Sequence, residues 1–149
     1  MLSRSNITTV KYTLAAIMMI GVSAPSFAAS PMLEVTPKQE KLCAKADKRY
    51  QELFPDAKDL DGVVTVKLYK YNYCPRNVTV KVGTTVRWVN VDKRTSHSVW
   101  LKEAGEAESE RFFPDEMWSF KFLATGDYPY LCGPHWESDD MTGFVRVVD

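Results

Sequence analysis

The chain has 149 residues with 19 basic and 19 acidic side chains, so it carries no net charge, and it has only 2 histidines and 3 cysteines. That length supports one modest core and leaves no room for a second folded domain. Balanced charge also excludes the strongly basic face that nucleic acid binding demands.

Residues 1–28 are predicted to be an export leader. Arg4 and Lys11 supply positive charge, Tyr12–Val22 an apolar run, and Ser26-Phe27-Ala28 a small-x-small signature that places cleavage after Ala28. The run is shorter than the roughly 20 residues that span a bilayer, and no cysteine directly follows the cut to accept a lipid. A periplasmic, monomeric product without stable membrane insertion is therefore expected. Loss of Arg4 and Lys11 takes the basic count from 19 to 17 against 19 acidic residues, a mature charge of −2.

Residues 29–62 read as a helical extension. Leu42, Cys43, Ala46, Tyr50, Leu53 and Phe54 recur on one helical stripe. Thr36-Pro37-Lys38-Gln39 supplies an N-cap, a proline at the first helical position and a capping-box glutamine, and Pro55 supplies a stop. This helix is expected to cover one end or side of the domain.

From Val63 the texture changes to short β-branched and aromatic runs punctuated by Gly, Pro, Asn and Asp, which predicts an all-β, antiparallel domain over residues 63–149. The runs Val63–Tyr71, Val78–Val82, Thr85–Asn90, Ser98–Leu101, Met117–Phe122, Tyr128–Leu131 and Gly143–Val148 give about seven strands, suited to a sandwich or barrel. Trp88, Trp100, Trp118, Phe120 and Phe122 are assigned to core or sheet packing. Lys102–Arg111, with Glu103, Glu106, Glu108 and Glu110, is read as a solvated loop or short helical excursion.

Chemistry concentrates in the last predicted loop. Cys132-Gly133-Pro134-His135 follows a strand, Met141 comes shortly after, and the other histidine, His97, lies upstream. One thiolate, two imidazoles and a thioether are the donors of a mononuclear blue-copper electron-transfer site, with a trigonal Cys-His-His set and a weak axial methionine. One copper ion per chain is expected, held by His97, Cys132, His135 and Met141.

Enzymatic readings fit less well. Cys-Gly-Pro-His lacks the second cysteine of a thioredoxin-type motif and follows a late strand rather than opening a helix in a βαβ unit. Two histidines cannot ligate the additional coppers of an oxidase or nitrite reductase, and no general base accompanies an open zinc position. An electron-transfer or copper-binding protein, and no enzyme, is expected.

In an oxidising compartment thiols pair, while a metal-bound thiolate does not. If Cys132 is a ligand, Cys43 and Cys74 remain as a disulfide, worth about 3–4 kcal/mol on the chain-entropy model. A Cys132 disulfide with either partner, or free buried thiols, are the alternatives.

These segments resemble the cupredoxin family, the plastocyanin, pseudoazurin and amicyanin group, over about Val63–Asp149. The resemblance rests on Tyr71–Pro75, Val78–Asn90, Thr95–Val99 around the first histidine, Gly126–His135 around the cysteine and second histidine, and Met141–Val145. It implies a Greek-key cupredoxin-like β-sandwich, electron entry and exit mainly through His135, and a redox partner such as a c-type cytochrome or an oxidase. Five residues separate His135 from Met141, more than the family's usual spacing, so Met141 is the least typical of the four ligands.

A looser likeness, in Thr95–Trp100 and Glu108–Pro114, is to exported CopI-like cupredoxins associated with copper resistance. It implies an alternative role in periplasmic copper tolerance, by binding or oxidising excess copper. Trp136 is expected either to pack on the ligand loop or to join an apolar docking patch, and Ser98 to donate its main-chain N–H to the Cys132 sulfur.

Overall fold

A computed structural model describes residues 30–149; the predicted leader lies outside them. The chain runs α1 (Pro37–Leu53), β1 (Val63–Tyr69), β2 (Asn72–Cys74), β3 (Asn77–Lys81), β4 (Thr85–Asn90), β5 (Met117–Lys121), β6 (Gly126–Leu131), α2 (Trp136–Asp139) and β7 (Thr142–Val148). Two sheets face each other, ordered β2-β1-β4-β5 and β3-β7-β6. This is the expected sandwich of seven strands with one added N-terminal helix.

The pairing is mixed rather than antiparallel throughout. β1 runs parallel to β4 and β3 parallel to β7, while the remaining pairs are antiparallel. In each parallel pair the intervening chain visits the other sheet before returning, so the two strands enter from the same end.

The inner faces follow the alternation of the sequence. Val66 and Leu68 of β1, Val86 and Trp88 of β4, and Val145 and Val147 of β7 meet in one core with Tyr73, Phe122 and Tyr130. The Tyr130 ring lies over Gly143, its partner across the β6–β7 ladder. A Cβ at residue 143 would sit 2.3 Å from that ring, which is why this strand carries glycine.

The capping box forms as expected: Gln39 N–H donates to Thr36 Oγ1 at 3.2 Å and Thr36 N–H to Gln39 Oε1 at 2.9 Å. The helix lies against the outer side of β1 and β2, where Ala46, Cys43, Tyr50, Leu53 and Phe54 pack on Cys74, Val89 and Val91. A Cys43–Cys74 disulfide joins helix to sheet, and Cys132 is a free, buried thiol. Of the alternatives the cysteines allowed, the pairing that leaves Cys132 free is the one observed.

The predicted strand Ser98–Leu101 is not one. His97 bridges to Phe112 and Trp100 to Leu131, two different partners. Between them Ser98 gives its N–H to the Cys132 sulfur at 3.4 Å, and its carbonyl accepts the Tyr73 hydroxyl at 2.7 Å. Main-chain groups committed in this way cannot build a ladder. The seventh strand is instead β2, paired with β1 through a two-residue turn at Lys70 and Tyr71, both with positive φ (47° and 61°), the backbone of a tight I′ hairpin.

Candidate metal centre

Three parts of the chain meet at one end of the sandwich. Cys132 leaves the end of β6, and its carbonyl accepts the N–H groups of both His135 (3.0 Å) and Trp136 (2.9 Å). This tight turn folds His135 back towards the thiol. His97 arrives from the bridging segment, fully buried.

Nδ1 of His97 lies 3.8 Å and Nδ1 of His135 3.4 Å from Cys132 Sγ. The three donor atoms all lie within 4.8 Å of one another. Bonds of about 2.0 Å to nitrogen and 2.3 Å to sulfur, as at a d¹⁰ ion, place N and S roughly 3.5–3.7 Å apart for tetrahedral to trigonal angles. The two sulfur-to-nitrogen distances present here bracket that value, so the thiol and each imidazole are spaced as donors to one soft cation.

The fourth predicted residue, Met141, is fully buried. Its carbonyl accepts the Cys132 N–H at 3.0 Å and its own N–H reaches the His135 carbonyl at 3.3 Å, so its backbone is bonded to two of the three donor residues. The long His135–Met141 spacing is absorbed by the single turn α2 and by Asp140 at φ 50°. Arg76 holds the end of this loop, bonding the Asp140 carboxylate at 2.7 Å and Thr142 Oγ1 at 2.6 Å.

Second contacts fix the histidines. His97 Nε2 faces Asp92 Oδ2 at 3.2 Å. With Nδ1 given to a metal, Nε2 would carry the proton and donate to this carboxylate, as metal-bound histidines commonly do. Asp92 also accepts N–H from Lys70 at 2.9 Å and Lys93 at 3.0 Å. Burial alone would raise its carboxyl, but these hydrogen bonds outweigh burial and hold it below the usual range. The stability this contributes is complete above about pH 4, the unfolded value, and is lost as pH falls through the lower folded value.

Asp92→Asn is expected to weaken metal affinity by about 10- to 100-fold, the usual effect of altering such a partner. A competition titration checks it; unchanged affinity would remove Asp92 from the account.

Burial pushes the Cys132 thiol up, against hydrogen bonds from Ser98 that pull it down. Burial also pushes the His135 imidazole down, and the neighbouring His97 adds to this. A neutral imidazole is the form that binds metal, while the thiol must lose its proton on binding.

His135 is the partly exposed member of the set. Tyr71, 39% exposed, meets its ring edge-on at 4.9 Å, held there by the positive-φ hairpin. Trp136, also 39% exposed, lies beside it with Lys102 over its ring at 5.9 Å, so it is a surface group and not part of the core. Asp92 and Arg76 carried no motif, and Tyr71, within a segment of family likeness, was not read as a neighbour of the site. Only the folded hairpin and loop bring them to the site.

The chain matches, over residues 61–148, the family model described as copper binding proteins, plastocyanin/azurin family. Amicyanin of Paracoccus versutus is 31% identical over 131 residues, covering 85% of this chain and 89% of that protein. Plastocyanin of Scenedesmus fuscus is 35% identical over 83 residues, covering 49% and 83%. The crystal structure of the Paracoccus versutus amicyanin superposes with a TM-score of 0.53 at 32% identity, over 63% of this chain and 87% of that one. A Cu(I) form of an amicyanin variant superposes at 0.52 and 32% identity, over 61% and 87%.

Proposed function

The chain belongs to the plastocyanin/azurin family of copper-binding proteins, and from that premise we propose that it is an exported, single-copper carrier of single electrons. The ligands in this reading are His97, Cys132 and His135, with Met141 as the weak axial group. The observation that carries it is the convergence of one thiol and two imidazole nitrogens within 4.8 Å.

Bound copper supplies a one-electron couple between Cu(II) and Cu(I). The chain's part is to keep the donors still. Cys132 is fixed by the Met141 carbonyl and the Ser98 N–H, His97 by Asp92, and the ligand loop by Arg76. A frame that does not relax between oxidation states lowers the reorganisation that transfer requires. His135, partly exposed and flanked by Tyr71 and Trp136, is the route for electrons, and these rings offer an apolar face to a redox protein such as a c-type cytochrome or an oxidase.

Export is supported by the leader-like residues 1–28 and by a structural disulfide, which suits an oxidising compartment such as the periplasm. In this reading residues 29–62 are an extension stapled to the copper domain of residues 63–149. Reconstituted protein should hold one copper per chain and show a single reversible one-electron wave. A second equivalent of tightly bound copper, or irreversible reduction, would contradict the proposal.

Copper tolerance is the second reading. The two stretches that carry the likeness to copper-resistance cupredoxins pack together at the site, through the His97–Phe112 bridge and the Ser98–Glu108 hydrogen bond. A deletion strain with normal copper tolerance would remove it.

A further inference from the structure

Glu108 sits in the acidic stretch that reads as solvated loop, yet its carboxylate reaches the metal centre's surroundings. Residue 109 anchors it: Ser109 N–H donates to the Val99 carbonyl at 2.9 Å, and Val99 N–H to Ser109 Oγ at 2.9 Å. From there Glu108 Oε1 accepts the Ser98 hydroxyl at 2.5 Å. The carboxylate lies on Gly133, where a Cβ would come within 2.0 Å of Oε1. Its seat exists only because residue 133 has no side chain.

Ser98 has one hydroxyl proton and two acceptors in range. Glu108 Oε1 is at 2.5 Å and Cys132 Sγ at 3.9 Å. A short hydroxyl-to-carboxylate bond is among the strong ones, so the proton goes to Glu108. Gly133 N–H, donating to the same hydroxyl oxygen at 3.1 Å, occupies a lone pair and fixes the rotor. The sulfur keeps one firm hydrogen bond, from the Ser98 main chain at 3.4 Å.

We propose that Glu108 is a positioning residue for the copper site: by capturing the Ser98 hydroxyl proton it denies the Cys132 sulfur a second hydrogen bond. A hydrogen bond to a thiolate withdraws charge from it, which favours Cu(I) over Cu(II). Glu108 therefore holds the potential down and keeps charge on the sulfur. The inference rests on the copper reading above.

The test compares unaltered protein, Glu108→Ala, Ser98→Ala and the double variant, each loaded with copper. Glu108→Ala releases the hydroxyl to turn towards the sulfur. It should shift the Cu(I)/Cu(II) ratio about tenfold towards Cu(I), about 59 mV for a one-electron couple, and enlarge the D₂O shift of the copper–sulfur stretch in resonance Raman spectra. In the Ser98→Ala background the same substitution should lose most of both effects. Gly133→Ala, which displaces the carboxylate without removing it, should behave as Glu108→Ala does.

Equal shifts with and without Ser98 would mean that Glu108 acts as a bare charge, and no shift would mean that it does not act at all; either overturns the proposal. A copper-free readout separates this from failure of the copper reading. The Ser98 hydroxyl proton should appear as a slowly exchanging, downfield NMR signal that disappears in Glu108→Ala, whether or not the protein takes up copper. Its absence from the unaltered protein also overturns the proposal.

Discussion

Replacing both Cys43 and Cys74 with alanine is expected to remove about 3–4 kcal/mol of stability, a large share of what a domain of this size possesses. The bond closes a loop across 31 positions, and the chain-entropy relation gives about 3.7 kcal/mol for such a loop. Besides the disulfide, α1 is attached by the apolar packing of Tyr50, Leu53 and Phe54 and by Arg49, whose Nε donates to the Val91 carbonyl. Ala46 is its only fully buried residue. The Lys67–Asp47 pair, 2.7 Å long, has a partner that is 54% exposed, and such pairs contribute about 1 kcal/mol or less.

The helix should therefore loosen first in the variant. Urea unfolding of the copper-free protein measures the total, and amide exchange over residues 37–53 locates it. A loss below about 1 kcal/mol, with α1 still protected, would show that apolar packing and not the disulfide holds the extension.

His97→Ala is expected to cost more in function than any other histidine change, because His97 is both donor and buried structure. Copper affinity should fall by more than about 100-fold, beyond the range for a supporting partner. The copper-free fold should also lose about 2–3 kcal/mol, since a buried ring is deleted and the Asp92 carboxylate keeps only the N–H groups of Lys70 and Lys93.

His135→Ala differs in kind. That ring is partly exposed, on a loop, with Tyr71 edge-on at 4.9 Å. Its loss should weaken copper binding while sparing most of the copper-free stability, and external imidazole should restore much of the binding. Competition titration and thermal unfolding of the two variants separate the roles. Equal destabilisation by both would contradict the burial-based distinction.

The cluster of His97, Cys132 and His135 was legible in the sequence because rare residues carry it: a chain with two histidines leaves little choice. Six of the seven strands and the capped helix followed from alternation, turn residues and the Thr36–Gln39 box. Ser98–Leu101 misled because its composition is that of a strand, while its fate depends on what Ser98 bonds in three dimensions. The reverse happened at β2, where three residues pair only because Lys70 and Tyr71 adopt a turn that their side chains do not advertise.

Asp92, Arg76 and Glu108 were illegible for a related reason. Each is an ordinary charged residue in a polar stretch, at sequence separations of 5, 64 and 10 from the residues it bonds. Only Glu108 lay within a stretch with any family likeness. The parallel pairings β1–β4 and β3–β7 likewise depend on which sheet each returning strand joins, a choice set by the assembled core and not by local pattern.

The most direct test of the account is copper reconstitution followed by visible and EPR spectroscopy of the unaltered protein and of Cys132→Ser. A thiolate copper site predicts an intense thiolate-to-copper band with an accompanying Cu(II) EPR signal in the unaltered protein, and loss of that band in Cys132→Ser. A colourless protein that takes up no copper, or a band that survives the serine substitution, would contradict it.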